Sequence, residues 1–273
     1  MNIEDFEDIA YHKEDNGICT AILNRPERRN AVSYLTFLEL YTVLEDMEKD
    51  DNAKVLIITG NPKGNAFSSG GYFEPDFFKS VQKEVRKEID LMDIAQKRLC
   101  LKLWKFYKPV IVAINGLAIG GAITMPLSGA DLIYMAEDAW LGFYFGKRAI
   151  IPEFGANFVL PFLVGFQKAK EICFFGEEIS AEKAYEMGLV NKVLPNEELI
   201  PYARKQALKL IPPQGPSLSI KLMKKTMHAY FIPILEQTLD LENKGLRKAF
   251  RSKDFMESMN SLKEKREPHF IGR

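Results

Sequence analysis

Histidine and cysteine are scarce in this chain of 273 residues, with three of each. His12, His228 and His269 are scattered, and neither an HExxH nor a CxxC motif occurs, so metal catalysis has no support in the sequence. Cys19, Cys100 and Cys173 are widely spaced, odd in number and embedded in apolar runs, which predicts buried free thiols rather than disulfides. Charge of one sign is not in excess either. Lys and Arg together number 37, as do Asp and Glu, so no global field draws nucleic acid or an anionic membrane, and a small-molecule partner is expected. No apolar run is long enough to span a bilayer, and the N-terminus, MNIEDFEDIA, has neither a basic n-region nor an apolar h-region. The expected location is the cytoplasm. The absence of G-x-G-x-x-G and of a Gly-Lys-Ser/Thr ending argues against a dinucleotide or triphosphate cradle.

What remains is an ordinary globular composition, 47% apolar and 27% charged, enough to bury one large core with an appended tail. Asp15-Asn16-Gly17 predicts a tight hairpin turn near the start. Ser33 is placed to cap a helix whose apolar residues recur at helical spacing to about Lys49, and a helical rhythm returns from about Val85 to Tyr107. Val55 to Gly60, Val110 to Asn115 and Asp131 to Ala136 are short, largely apolar strands between helices, the pattern of a parallel sheet covered on both faces. Leu189 to Leu194 is a further strand, after a helix beginning near Ser180. Beyond Pro195 the strand signal ends, and Leu199 to Arg273 is expected to be helical, interrupted at Ile211 to Pro216. The division expected is an α/β core over residues 1–198 and a helical segment over 199–273.

Two glycine pairs stand at the ends of apolar runs, Gly70-Gly71 in AFSSGG and Gly120-Gly121 in INGLAIGGA. Where a strand ends and a helix begins, free N–H groups point outward with the positive end of the helix dipole behind them, so negative charge is favoured. Two such donors converging on one oxygen make an oxyanion hole. Either pair also serves simply as a tight turn or a close helix contact.

Six stretches carry a resemblance: LNRPERRNAV (Leu23 to Val32), AFSSGG (Ala66 to Gly71), INGLAIGGA (Ile114 to Ala122), GADLIYMAEDAWLGF (Gly129 to Phe143), IIPEFGANFVLPFLVG (Ile150 to Gly165) and ISAEKAYEMGLVNKV (Ile179 to Val193). In this order they resemble the crotonase superfamily, the enoyl-CoA hydratases and isomerases. The resemblance implies a spiral of ββα units, a C-terminal helical segment used in forming a homotrimer or a dimer of trimers, and an acyl-CoA thioester as substrate, with no cofactor beyond that coenzyme A. It further implies that the amides of Gly71 and Gly121 bind the thioester oxygen. Arg28, Arg29, Ser69 and Lys265 are its candidates for holding the CoA moiety.

The chain departs from the hydratase pattern at both catalytic glutamates, whose positions fall on Thr124 and Phe145. A hydroxyl and a phenyl ring cannot replace two carboxylates in proton transfer. Tyr72 stands where an Asp is typical and Glu74 where a CoA-contacting Lys is common, while Pro126 falls close to the expected first turn of the helix after Gly121. Glu153, directly after Pro152, resembles the single catalytic glutamate of a subset of Δ3,Δ2-enoyl-CoA isomerases; a lone loop glutamate also serves as a solvated or capping group. Phe73, Phe77, Phe78, Trp140, Phe143, Phe145 and Phe154 are candidates for an acyl pocket, with only a minority expected to touch substrate. The function expected is therefore a double-bond isomerase, ahead of a hydratase or another enolate-forming lyase. A non-catalytic acyl-CoA-binding protein, the alternative of a different class, would be favoured by finding Glu153 far from the oxyanion hole.

Overall fold

A computed structural model describes residues 1–72 and 81–273. Its centre is a six-stranded sheet formed by β1 (Ile9–Lys13), β2 (Ile18–Leu23), β3 (Val55–Gly60), β5 (Val110–Ile114), β7 (Leu132–Ala136) and β10 (Lys192–Leu194), adjacent in that order. The first pair is the antiparallel hairpin expected at Asn16-Gly17, and the other neighbours are parallel. Every residue of β3 and β5 is buried, which accounts for their largely apolar sequences.

A second sheet holds four three-residue strands in the order β4 (Ala66–Ser68), β6 (Leu117–Ile119), β8 (Trp140–Gly142) and β9 (Glu178–Ser180). Each long strand β3, β5 and β7 is followed within a few residues by a short strand in this second sheet, and β6 leads directly into a helix. The chain thus winds as repeated ββα units.

Eleven α-helices are described. Helix α1 (Tyr34–Lys49) starts as expected at Ser33, whose hydroxyl accepts the amides of Leu35 and Thr36 while Thr36 Oγ1 accepts the Ser33 amide, a complete capping box. The long helix expected between Val85 and Tyr107 is instead two, α2 (Lys83–Glu88) and α3 (Lys97–Lys105). Asp90 accepts the amide of Met92, and Asp93 accepts those of Lys97 and Arg98, so carboxylates take the donors that a continuous helix would use. Helix α4 (Gly121–Gly129) is almost wholly buried. Pro126 is its sixth residue, beyond the first turn, so the ring denies a partner to the Ala122 carbonyl inside the helix.

Helices α5 (Ala156–Val164), α6 (Phe166–Phe175) and α7 (Ala181–Glu186) complete the core. The seam expected between residues 198 and 199 falls inside α8 (Asn196–Leu210), which packs on β3, β5 and β7. Helices α9 (Ser217–Ala229), α10 (Ile232–Ala249) and α11 (Lys253–Glu264) follow. Helix does not reach the C-terminus. Lys265 caps α11 in a left-handed conformation, and the amides of Ile271 and Gly272 are bound by the Asp254 carboxylate. No helix among the described residues is long and apolar enough to cross a membrane.

Candidate active site

The two glycine pairs meet at one cavity. Gly70, Gly71, Gly120 and Gly121 all line a hollow of about 410 Å³ between the second sheet and the C-terminal helices. In each pair the first glycine makes the turn. Gly70 has φ 93° and Gly120 φ 56°, and a Cβ on Gly70 would lie 2.7 Å from the Ile119 carbonyl oxygen, so no other residue lets the two strand ends approach this closely.

The second glycine in each pair supplies the donor. A parallel bridge joins Gly71 to Val32, with Val32 donating to the Gly70 carbonyl and Tyr72 donating to the Val32 carbonyl. The intervening Gly71 N–H is therefore directed away from Val32. Gly121 is the first residue of α4, a position whose amide has no intrahelical acceptor. Neither amide donates to any partner among the described residues.

Glu153 stands beside them. A Cβ placed on Gly121 would lie 2.9 Å from Glu153 Oε1, and Thr124 Oγ1 donates to the same oxygen at 3.4 Å. Burial first, and then the negative charge of Glu242, raise the Glu153 carboxyl to about 8, while the Thr124 hydrogen bond opposes them. Part of the residue faces the cavity, and the wall around its carboxyl is largely apolar: Phe37, Ile94, Ile119, Phe145, Ile150 and Phe154. The turn that carries it is unusual. Phe154 has φ 59° and Gly155 φ 72°, two consecutive left-handed residues, and the conformation costs a residue with a Cβ roughly 1–2 kcal/mol. Phe154 is held there by its amide donating to the Ala95 carbonyl at 3.1 Å and its carbonyl accepting from Cys100 Sγ at 3.3 Å.

The remaining expected residues separate into those the fold gathers and those it does not. Phe145, Phe154 and Ser69 line the cavity, and Thr124 reaches it through Glu153. Ser69 is held by the carbonyls of Arg28 and Arg29, so these two arginines buttress the Gly70 turn from outside while the Arg28 guanidinium lies 4.2 Å from the Tyr72 ring centre. Lys265 lines an adjoining groove of about 930 Å³, whose border residues Tyr144, Arg148 and Leu262 also line the cavity. Trp140 is not in the pocket. Successive side chains of a strand point to opposite faces, and with Leu141 buried in the core Trp140 borders a separate depression with Pro62, Asn65 and Asn196. Phe143 is fully buried in the core. Phe73, Glu74, Phe77 and Phe78 lie outside the described residues.

The far wall of the cavity had no counterpart in the expected set. Leu246 and Phe250 at the end of α10, with Phe255, Met259 and Leu262 of α11, close it from the C-terminal segment. The last three fall at i, i+4 and i+7, a stripe legible as one helix face although its target is not. The cation Arg148 also lines the cavity, and burial lowers its pKa.

Two unengaged amides at strand ends, with one buried carboxyl beside them, form a site suited to an oxygen that gains negative charge while a proton moves next to it. Comparison with known proteins agrees with that chemistry. The sequence matches the enoyl-CoA hydratase/isomerase family over residues 13–273, and the chain belongs to that family, within the crotonase superfamily. It is similar to the 1,2-epoxyphenylacetyl-CoA isomerase of Escherichia coli K12, at 31% identity over 98% of this chain and 99% of that protein. The similarity to the crotonyl-CoA hydratase of Syntrophomonas wolfei is 29%, over 98% and 99% of the two chains. Among solved structures, an enoyl-CoA hydratase/isomerase from Pseudoalteromonas atlantica superposes with a TM-score of 0.84 at 25% identity, covering 97% of this chain and all of that one. The spiral α/β fold is thus that of the family, and the protein is an enzyme of it.

Proposed function

We propose that this enzyme is a Δ3,Δ2-enoyl-CoA isomerase in which Glu153 is the sole acid–base group. The observation that carries the reading is that Glu153 is the one carboxylate among the described cavity-lining residues and lies against Gly121. Its proximity to Gly121 removes the ground on which a non-catalytic binder would be favoured. In the proposed reaction the thioester oxygen accepts from the amides of Gly71 and Gly121, Glu153 takes a proton from C2 of a 3-enoyl-CoA, and the dienolate receives the same proton at C4. The net change is a shift of the double bond, with no water, metal or redox partner consumed and no cofactor beyond the substrate's own coenzyme A. Hydration needs a second group to orient water, and the positions suited to it hold the Thr124 hydroxyl and the Phe145 ring.

The test is incubation with paired 2-enoyl- and 3-enoyl-CoA esters, resolving hydrated from isomerised products by mass. Interconversion without a gain of 18 mass units (roughly, one water) is expected; rapid hydration of crotonyl-CoA with 3-enoyl-CoA left untouched overturns the reading in favour of a hydratase.

For the CoA end, the groove beside the cavity supports Lys265 as a phosphate contact. Lys265→Ala is expected to raise KM for CoA esters while kcat stays near wild type, the signature of lost uniform binding. Equal KM values in the two proteins reduce Lys265 to a surface charge.

A homotrimer, or a dimer of trimers, is supported by aromatic side chains left open at Phe162, Phe166, Phe174, Phe175 and Tyr230. Phe162 and Tyr230 both pack on Phe231, joining α5 to the loop before α10 in one apolar patch. Light scattering is expected to give three or six chains; a monomer at micromolar concentration contradicts this. The free thiols of Cys19, Cys100 and Cys173 fit a reducing compartment such as the cytoplasm.

A further inference from the structure

A second buried carboxylate holds the turn that carries Glu153, and the proton shuttle leaves it unused. Glu242 lies on α10 in the stripe that also contains Leu235, Leu239 and Leu246, and it is 2% exposed. Its Oε2 accepts the Gly155 amide at 2.8 Å, and its Oε1 accepts the Asn157 amide at 3.1 Å and Asn157 Nδ2 at 2.8 Å. Asn157 Nδ2 also donates to the Pro152 carbonyl at 3.0 Å. Pro152 immediately precedes Glu153 and Gly155 follows it by two, so the backbone on both sides is tied, at Gly155 directly and at Pro152 through Asn157, to one side chain 87 positions along the chain from Gly155.

We propose that Glu242 is a positioning residue, which aims the Glu153 carboxyl at the glycine amides by clamping the left-handed turn around it. The inference rests on the reading of Glu153 as the base. Glu242 does not line the cavity, so it touches no substrate and acts only through the turn. Three donors converge on its two oxygens, an arrangement that needs both oxygens as acceptors and therefore the ionised carboxylate. A glutamine would present an amide donor to one of those N–H groups.

The charge has a second effect. Burial raises the Glu242 carboxyl as well, but the three donors on its oxygens hold it as the carboxylate, and its charge opposes ionisation of Glu153. Other groups face the pair from the elements packed around them. Thr124 of α4 donates to Glu153, Arg148 and Tyr144 line the cavity with it, and the Cys173 thiol of α6 lies within its field. On the Glu242 side are Cys100 of α3 and Asp93, which accepts from Asn243 next along α10. Of these the Thr124 hydrogen bond favours the ionised base, and removal of Glu242's charge leaves it in place.

The experiment measures kcat, KM and the pH dependence of 3-enoyl-CoA isomerisation for wild type, Glu242→Gln, Asn157→Ala and Glu153→Gln, with thermal unfolding alongside. Because small misplacement of a reacting group costs up to on the order of 100-fold, Glu242→Gln is expected to lower kcat about tenfold with KM within about twofold. Its acidic limb should also move to lower pH, since the charge opposing ionisation of Glu153 is gone. Asn157 is exposed, so Asn157→Ala will fold; it cuts the tie to Pro152 and should lower kcat about threefold at unchanged KM. A folded Glu242→Gln enzyme with wild-type kcat and an unmoved limb overturns the inference. If Glu242→Gln does not fold, wild-type kcat in Asn157→Ala does so instead. Turnover retained in Glu153→Gln overturns the base and the clamp together, whereas loss in Glu153→Gln beside wild-type behaviour in the other two overturns the clamp alone.

Discussion

Glu153→Gln is expected to lose on the order of 100-fold or more in isomerisation while still binding CoA esters, a change of about 2.7 kcal/mol in barrier. Glutamine matches the carboxylate in size and polarity, and can still meet the Thr124 hydroxyl, but it cannot take a proton from C2. The same assignment fixes the direction of the pH dependence. A general base works only when unprotonated, and burial and Glu242 hold Glu153 near 8 rather than in the usual carboxylate range. Wild-type kcat/KM for a 3-enoyl-CoA should therefore rise with pH through about 8, and that rise should be absent from the residual activity of Glu153→Gln. An enzyme whose rate levels off near pH 5 has another base, and a Glu153→Gln variant that keeps most of its turnover leads to the same conclusion by a separate route.

The elements legible from sequence were those whose signal is local. Val55 to Gly60 and Val110 to Ile114 are buried on both faces, so their side chains are apolar except for Thr59, whose hydroxyl donates to the Ala113 carbonyl. Ser33 was readable because a cap needs only the residues of its own first turn. The strands β4, β6 and β8 have three residues each, too few for any period, and they pair only once the long strands have brought them together. Asp90 and Asp93 broke an expected helix because their carboxylates outcompeted the helical pattern for nearby amides.

The candidate site divides along the same line. Gly71, Gly121 and Glu153 sit in contiguous motifs and could be placed from sequence by resemblance. Their adjacency could not, since Glu153 reaches Gly121 across a turn held by residues of α3 and α10. Glu242 occupies a core position on an amphipathic helix, where sequence shows only a charge in an apolar stripe. Trp140 was misassigned because the aromatic content of WLGF does not reveal which face of β8 each ring takes.

Gly121→Val tests the other half of the site, and near-complete loss of turnover is expected from a protein that still folds. The backbone at Gly121 does not have positive φ, so valine meets no conformational penalty of the kind that Gly120 would impose. Its Cβ would lie 2.9 Å from Glu153 Oε1 and 3.6 Å from Phe154 Cε2. Both are side-chain atoms, and the closer belongs to the end of a flexible glutamate, so the collision moves Glu153 and leaves the backbone in place. The two γ-carbons must then occupy the space beside the Gly121 amide, where the thioester oxygen is to sit. Loss of one oxyanion donor costs roughly 2.7–4 kcal/mol, about 100- to 1,000-fold in rate, and displacement of the base adds to this. Gly121→Ala, with the same Cβ but no branches, should fall between valine and wild type. The measurement is kcat/KM for a 3-enoyl-CoA across the three proteins, with thermal midpoints to confirm folding. Wild-type turnover in the folded valine variant would remove Gly121 from the mechanism, because no thioester oxygen could then be accepting from its amide.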